Sequence, residues 1–172
     1  MARNVEIKAR LRDLQATRRL VEGIADGPGQ LVEQTDTFFR VKGARLKLRE
    51  RSGADAELIY YRRPDSPGPK ESDYETVAVR DAAALRELLA AALGVAGRVL
   101  KRRLVYRLGR TRIHLDDVRD LGPFLELEVE LASGEPADVG VREAKRLMGA
   151  LEIGEEALIA GAYVDLLDRR ST

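Results

Sequence analysis

The chain has 172 residues, 44% of them apolar and 34% charged, enough to bury a sizeable core in one domain. Thirty basic residues nearly cancel twenty-nine acidic ones, without the marked basic excess of a dedicated nucleic-acid binder. No cysteine is present, which removes disulfides and thiolate metal sites. The opening MARNVEIKARL lacks the apolar run of a signal peptide, and no stretch approaches a membrane span. The expectation is a cytoplasmic protein.

Residues 4–11 alternate strictly, with Asn4, Glu6, Lys8 and Arg10 on one face and Val5, Ile7, Ala9 and Leu11 on the other. That is a half-buried strand. Asp13 reads as the N-cap of a helix with Leu14, Leu20, Val21 and Ile24 inward, ended by the DGPG at 26–29. QTDTFFRV (34–41) is a second strand and ARLKLRER (44–51) a third, with Arg45, Lys47 and Arg49 opposed to Leu46 and Leu48. ELIYYRR (57–63) is a fourth.

Residues 64–73, PDSPGPKESD, read as a long loop able to cover a site. YETVAV (74–79) is a fifth strand, and Asp81 caps a second helix that stops at Gly94. RVLKRRLVYRL (98–108), RTRIHLDD (110–117) and FLELEVEL (124–131) are strands six to eight. Asp138 opens a third helix, and residues 155–169 form a fourth that either plugs one end of the fold or packs as an ordinary helix.

The stretch 113–131 is the most telling. Glu126, Glu128 and Glu130 alternate with Leu125, Leu127, Val129 and Leu131, while His114 and Asp116 alternate with Ile113 and Leu115. Successive strand side chains point to opposite faces, so one face is apolar and the other carries carboxylates and the only histidine. Like charges this close need a counter-charge.

Solvent is the default place for a charged strand face. Here the helices carry apolar faces that need the sheet's apolar side, which leaves the charged side inward. Eight strands suffice to close a barrel. Cations also concentrate on 45–49 and 101–103, and anions on 126–130. The expected fold is α+β: a closed eight-stranded antiparallel barrel with helices outside, spanning 1–172 as a single domain.

Its lumen would hold Lys8, Arg10, Arg45, Lys47, Arg49, Arg62, Lys101 and Arg103 beside Glu6, Asp116, Glu126 and Glu128. So many cations ask for a polyanion, and phosphate oxygens suit Arg forks and Lys point charges. The carboxylates would repel that anion unless a hard divalent ion such as Mg²⁺ or Mn²⁺ stood between.

VEIKA (5–9), RLKLRE (45–50), VLKRR (99–103), HLDDVRDLGPFLELE (114–128) and the closing AYVDLL (162–167) resemble the CYTH family. These proteins, also called triphosphate tunnel metalloenzymes, include class IV adenylyl cyclases, thiamine triphosphatases and inorganic triphosphatases. The resemblance implies an eight-stranded antiparallel tunnel, a triphosphate ligand and Mg²⁺ or Mn²⁺. The family's opening Glu-x-Glu-x-Lys stands here as Asn4-Val5-Glu6-Ile7-Lys8, so the first Glu is replaced by Asn.

The resemblance assigns Glu6, Asp116, Glu126 and Glu128 to metal. It assigns Lys8, Arg45, Lys47, Arg49, Arg62, Lys101 and Arg103 to the triphosphate, to which the inner parity of 4–11 adds Arg10; Lys8, Arg49, Lys101 and Arg103 are read as catalytic cations. His114 reads either as a general base or as a lumen histidine bonded to a carboxylate; the second is favoured. Phe38, Phe39, Tyr60 and Tyr61 offer stacking surfaces or core.

The implied activity is metal-dependent phosphohydrolysis of a nucleotide, thiamine or inorganic triphosphate, or cyclisation of ATP. The alternatives are a non-catalytic nucleotide or polyphosphate binder and a carrier of an apolar ligand, which the charged lumen disfavours. The expected partner is the small-molecule triphosphate, not nucleic acid or membrane, and a homodimer is compatible with this reading.

Overall fold

The computed structural model describes residues 1–170. In chain order the elements are β1 (Ala2–Arg10), α1 (Leu14–Ile24), β2 (Gln30–Phe39), β3 (Arg45–Arg51), β4 (Ala54–Arg62), β5 (Lys70–Val79) and α2 (Ala82–Leu93). They continue with β6 (Val95–Leu108), β7 (Thr111–Val118), β8 (Gly122–Glu130), α3 (Ala137–Ala150) and α4 (Tyr163–Arg170). The strands close into an antiparallel barrel in the order β1-β5-β4-β3-β2-β6-β7-β8. Two meanders, β2 to β5 and β6 to β8, meet through β2–β6, and β1 seals the gap between β5 and β8.

The alternation decides what faces outward. Val5, Ile7 and Ala9 of β1, Ile113 and Leu115 of β7, and Leu125, Leu127 and Val129 of β8 are buried on the outer face. They pack under Val21 of α1, Ala144, Leu147 and Met148 of α3, and Leu151 just past its end. Burying each of the larger aliphatic side chains among them contributes roughly 1.5–3 kcal/mol, which a fully solvated outer sheet face would forgo. The charged faces are therefore turned into the lumen. A second cluster, under α2, joins Phe39, Leu48 and Ala56.

Two glycines permit close approaches. At Gly140 of α3 a Cβ would stand 2.7 Å from Val5, and at Gly97 of β6 2.6 Å from Val164 of α4. Neither site has room for a side chain, so helix and barrel touch backbone to side chain there.

Three sequence expectations are corrected. The segment 64–73 is a loop only to residue 69, because β5 begins at Lys70 and pairs with β1 through Glu6↔Lys70 and Asn4↔Ser72. Its first residues are polar on both faces, so hydrophobic alternation does not mark them. The helix expected over 155–169 is a short 3₁₀ turn (Glu155–Ala157), an extended link and then α4. The third helix starts from Pro136, with Asp138 in its first turn and not at its cap. No helix among the described residues is long and apolar enough to cross a membrane.

Candidate active site

The inner faces enclose a cavity of about 500 Å³ lined by residues from all eight strands. From β1 come Asn4, Glu6 and Lys8; from β2 Gln34, Asp36 and Phe38; from β3 Lys47 and Arg49. β6 supplies Lys101 and Arg103, β7 Arg112 and His114, and β8 Glu126 and Glu128. Nine basic side chains and five carboxylates line the space, so after internal pairing a positive excess remains for an anion.

Each of these carboxylates has a cationic neighbour, several of them set by strand register. Lys8 and Glu126 are directly opposite on β1 and β8, and Lys8 Nζ lies 3.0 Å from Glu126 Oε1. Arg103 Nη2 donates to Glu126 Oε2 at 2.6 Å. Arg112 on β7 faces Glu128 on β8 and pairs with it at 2.8 Å. Asp36 accepts from the Arg49 fork at 3.0 and 3.1 Å, with Lys47 Nζ 3.2 Å away. Glu6 pairs with Arg63.

These contacts set the protonation states. Burial pushes Glu126 up, but Lys8, Lys101 and Arg103 hold it well below the usual carboxylate range. Burial likewise raises Glu128, yet His114 and the permanently charged Arg112 bring it down to about 2. Burial lowers Lys47 to about 8, helped by Arg49 and opposed by Asp36. Burial, followed by the Arg103 charge, pushes His114 below its ordinary value.

Asp116 has a different place from the one expected. It is fully buried and does not line the cavity. Its Oδ1 takes Arg103 Nε at 2.6 Å, and its Oδ2 takes Arg103 Nη2 at 2.6 Å, Lys101 Nζ at 3.1 Å and the Tyr163 hydroxyl at 2.9 Å. Both oxygens are committed. A carboxylate so engaged, buried behind the cavity wall, aims Arg103 and Lys101 into the lumen.

Of the other expected residues, Glu6, Lys8, Lys47, Arg49, Lys101, Arg103, Glu126 and Glu128 converge on the cavity. Arg10, Arg45 and Arg62 do not. Arg10 lies at the end of β1 over the Phe124 ring, 4.6 Å from its centroid, and donates to the Leu121 carbonyl. Arg62 is exposed and reaches only Met1 Sδ. Its neighbour Arg63, which the sequence reading passed over, turns into the cavity instead.

Arg45 stands at the barrel rim and grips Asp165 of α4 with both terminal nitrogens, at 3.0 and 2.8 Å. Phe38 and Tyr61 line the cavity, while Phe39 packs under α2 and Tyr60 is exposed. His114 makes no hydrogen bond to a carboxylate, because its Nδ1 stands 3.7 Å from Glu126 and 3.8 Å from Glu128.

Arg63, Arg112, Asp36 and Tyr163 were missed. Arg112 and Asp36 were legible, since they share the inner parity of His114 and of Gln34. Arg63 was not: the strand 57–63 carries apolar residues on both faces, so alternation gives no phase. Tyr163 enters the lining from α4. Its ring lies 3.9 Å from Lys8 Nζ and 4.8 Å from Lys101 Nζ.

The arrangement can hold a multiply charged anion between Lys8, Lys47, Arg49, Lys101 and Arg103, with a cation on the carboxylate side. His114, Glu126 and Glu128 each offer a ligand atom within 4.8 Å of the others. The buried Nδ1 without a partner and the hard oxygens beside it fit a divalent ion.

The model of the CYTH domain matches residues 2–163. No curated protein matches the chain. Among solved structures, the PH1012 protein of Pyrococcus horikoshii superposes with a TM-score of 0.84 at 24% identity, covering 95% of this chain and 98% of that one. A putative adenylate cyclase of Vibrio parahaemolyticus gives 0.76 at 20% identity, over 96% and 97% of the two chains. HpAC1 of Hippeastrum, described as a putative adenylyl cyclase with a dominant triphosphatase activity, gives 0.66 at 19%, over 98% and 96%. At these identities the likeness establishes the fold.

Proposed function

The chain belongs to the CYTH family, and from that premise we propose that it is a divalent-metal-dependent enzyme acting on a triphosphate inside its barrel. The observation that carries this reading is the make-up of the cavity. Lys8, Lys47, Arg49, Lys101 and Arg103 line it together with Glu6, Glu126 and Glu128, and Lys8 and Arg103 reach Glu126 directly.

Phosphoryl transfer asks little covalent chemistry of the protein; positioning and charge neutralisation dominate. Arg49 and Arg103 present forks suited to phosphate oxygens, and Lys8, Lys47 and Lys101 act as point charges. Each is already oriented by a carboxylate or a ring: Asp36 holds Arg49 and Lys47, Asp116 holds Arg103 and Lys101, and the Tyr163 ring lies against Lys8. Little reorganisation is needed when charge develops on the transferring group.

Glu6, Glu126 and Glu128 are the residues to hold the ion, and Asp116 is assigned to positioning. The bound ion would supply Lewis-acid polarisation of a phosphoryl oxygen and offset the carboxylate charge.

Hydrolysis is the favoured outcome. The 500 Å³ cavity suits the phosphate chain, and the Hippeastrum relative carries a triphosphatase description. A phosphorus NMR time course with tripolyphosphate, ATP and thiamine triphosphate, each with Mg²⁺ or Mn²⁺, tests this. Orthophosphate with the corresponding diphosphate is the expected product. Pyrophosphate with cyclic AMP would redirect the assignment to cyclisation. Tight triphosphate binding without metal-dependent turnover would favour the non-catalytic binder, for which Asn4 in place of a carboxylate is the motive.

A further inference from the structure

The next step rests on the metal-dependent reading and concerns an atom it leaves unused. His114 is the only histidine of the chain. It lies on the inner face of β7, opposite Glu126 of β8, and is 4% exposed. Its Nδ1 is buried and has no hydrogen-bond partner. Leaving such a group unsatisfied is unfavourable, so the position is informative.

The two nearest carboxylate oxygens are 3.7 Å away on Glu126 and 3.8 Å away on Glu128. That is too long for a hydrogen bond. It is a natural separation for two donors on one ion, since ligand bonds of about 2.1 Å place neighbouring donors roughly 3–4 Å apart. Glu126 also bonds Arg103 and Lys8, and Glu128 bonds Arg112. The imidazole nitrogen between them is the one donor of the three with no other engagement.

We propose that His114 Nδ1 is a nitrogen ligand that completes the Glu126–Glu128 site and gives it preference for a transition ion of the Mn²⁺ type over Mg²⁺. Mg²⁺ takes oxygen donors and keeps several waters. An imidazole adds little to its binding, but it strengthens Mn²⁺ and the later divalent ions of the series. A histidine placed only as a proton carrier would need no second donor on either side; this one stands between two carboxylates at ligand separations.

The test uses untagged protein, so that no other imidazole is present. Metal-free protein is loaded with Mn²⁺, with and without tripolyphosphate, and examined by pulsed electron paramagnetic resonance for directly bonded ¹⁴N. Calorimetry gives Mn²⁺ and Mg²⁺ affinities for the wild type, His114→Gln and Glu128→Gln. The expected result is an imidazole coupling that His114→Gln abolishes. Mn²⁺ affinity should fall about tenfold or more in that variant, with Mg²⁺ affinity nearly unchanged.

If Mn²⁺ binds in a Glu128-dependent way but no imidazole nitrogen is coupled to it, His114 is not a ligand; the proposal falls and the metal reading stands. If neither ion binds, with or without tripolyphosphate, the metal reading itself falls. The wild-type spectrum decides the first question even if His114→Gln folds poorly.

Discussion

At the scale of single residues, two carboxylates that look alike in the sequence do different work. Asp116 neutralises buried Arg103 and Lys101, and Asp116→Asn should remove that charge while keeping the shape. Stability should drop by about 3–5 kcal/mol in urea titration, because two buried cations lose their partner. The sign with pH follows. Burial pushes Asp116 up, but Arg103 and Lys101 hold it at about 2, below its ordinary 3.8. Its stabilisation is therefore complete above about pH 4 and is lost as pH falls toward 2, and Asp116→Asn should flatten that part of the stability curve. Glu128→Gln should behave otherwise. Carboxylate repulsion alone would lead one to expect a higher melting temperature without metal, but Arg112 already neutralises Glu128. Gln cannot replace that charge, so the variant should melt a few degrees below the wild type, the loss being limited because Arg112 keeps Glu130 as a partner, and it should lose turnover by about a hundredfold or more, since metal charge stabilisation is worth several kcal/mol. Wild-type turnover in Glu128→Gln would remove it from the site.

At the scale of elements, α4 is more than a packing helix. Its first residue, Tyr163, donates its hydroxyl to Asp116 and sets its ring against Lys8 and Lys101. Tyr163→Phe should keep the ring and raise KM for tripolyphosphate only slightly. Tyr163→Leu should raise it severalfold more, because the lysines lose the face that holds them. Steady-state kinetics with both variants separates ring from hydroxyl. The same helix is held by the Arg45–Asp165 fork. Arg45→Ala should lower the melting temperature by about 2–4 °C, as expected for roughly 1 kcal/mol in a chain of this size. Its effect on kcat/KM should be far below that of Arg103→Ala, since Arg45 faces α4 and not the cavity.

At the scale of the whole molecule, the barrel gathers charge that no single strand could hold dry. Burial brings Lys47 to about 8, so its ammonium is lost as pH rises through that value. KM for tripolyphosphate should therefore rise above about pH 8, and Lys47→Arg should keep it low to higher pH, because a guanidinium stays charged. A flat wild-type profile to pH 9.5 would remove Lys47 from the triphosphate contacts. Increasing salt should weaken binding moderately, since charges inside the barrel are screened less than surface ones.

The barrel is legible in the alternation of the chain. Strict alternation in 4–11, 44–51 and 124–131 fixes two faces of unlike polarity, and apolar helices can cover only one of them. The parity of Glu6, Lys8, Lys47, Arg49, Lys101, Arg103, Glu126 and Glu128 places them in one lumen. Tertiary structure alone decided the rest. Alternation carries no phase where both faces are apolar, so Arg63 and not Arg62 turns inward. It is silent where both faces are polar, so Lys70 and Ser72 passed for loop. Parity also cannot tell which lumen carboxylate is already spoken for. Asp116 and Glu126 share an inner face, but Arg103, Lys101 and Tyr163 close over Asp116, and Tyr163 arrives from a helix some fifty residues further on. Side chains from distant segments meet only when the barrel closes, and which oxygens stay free is settled there.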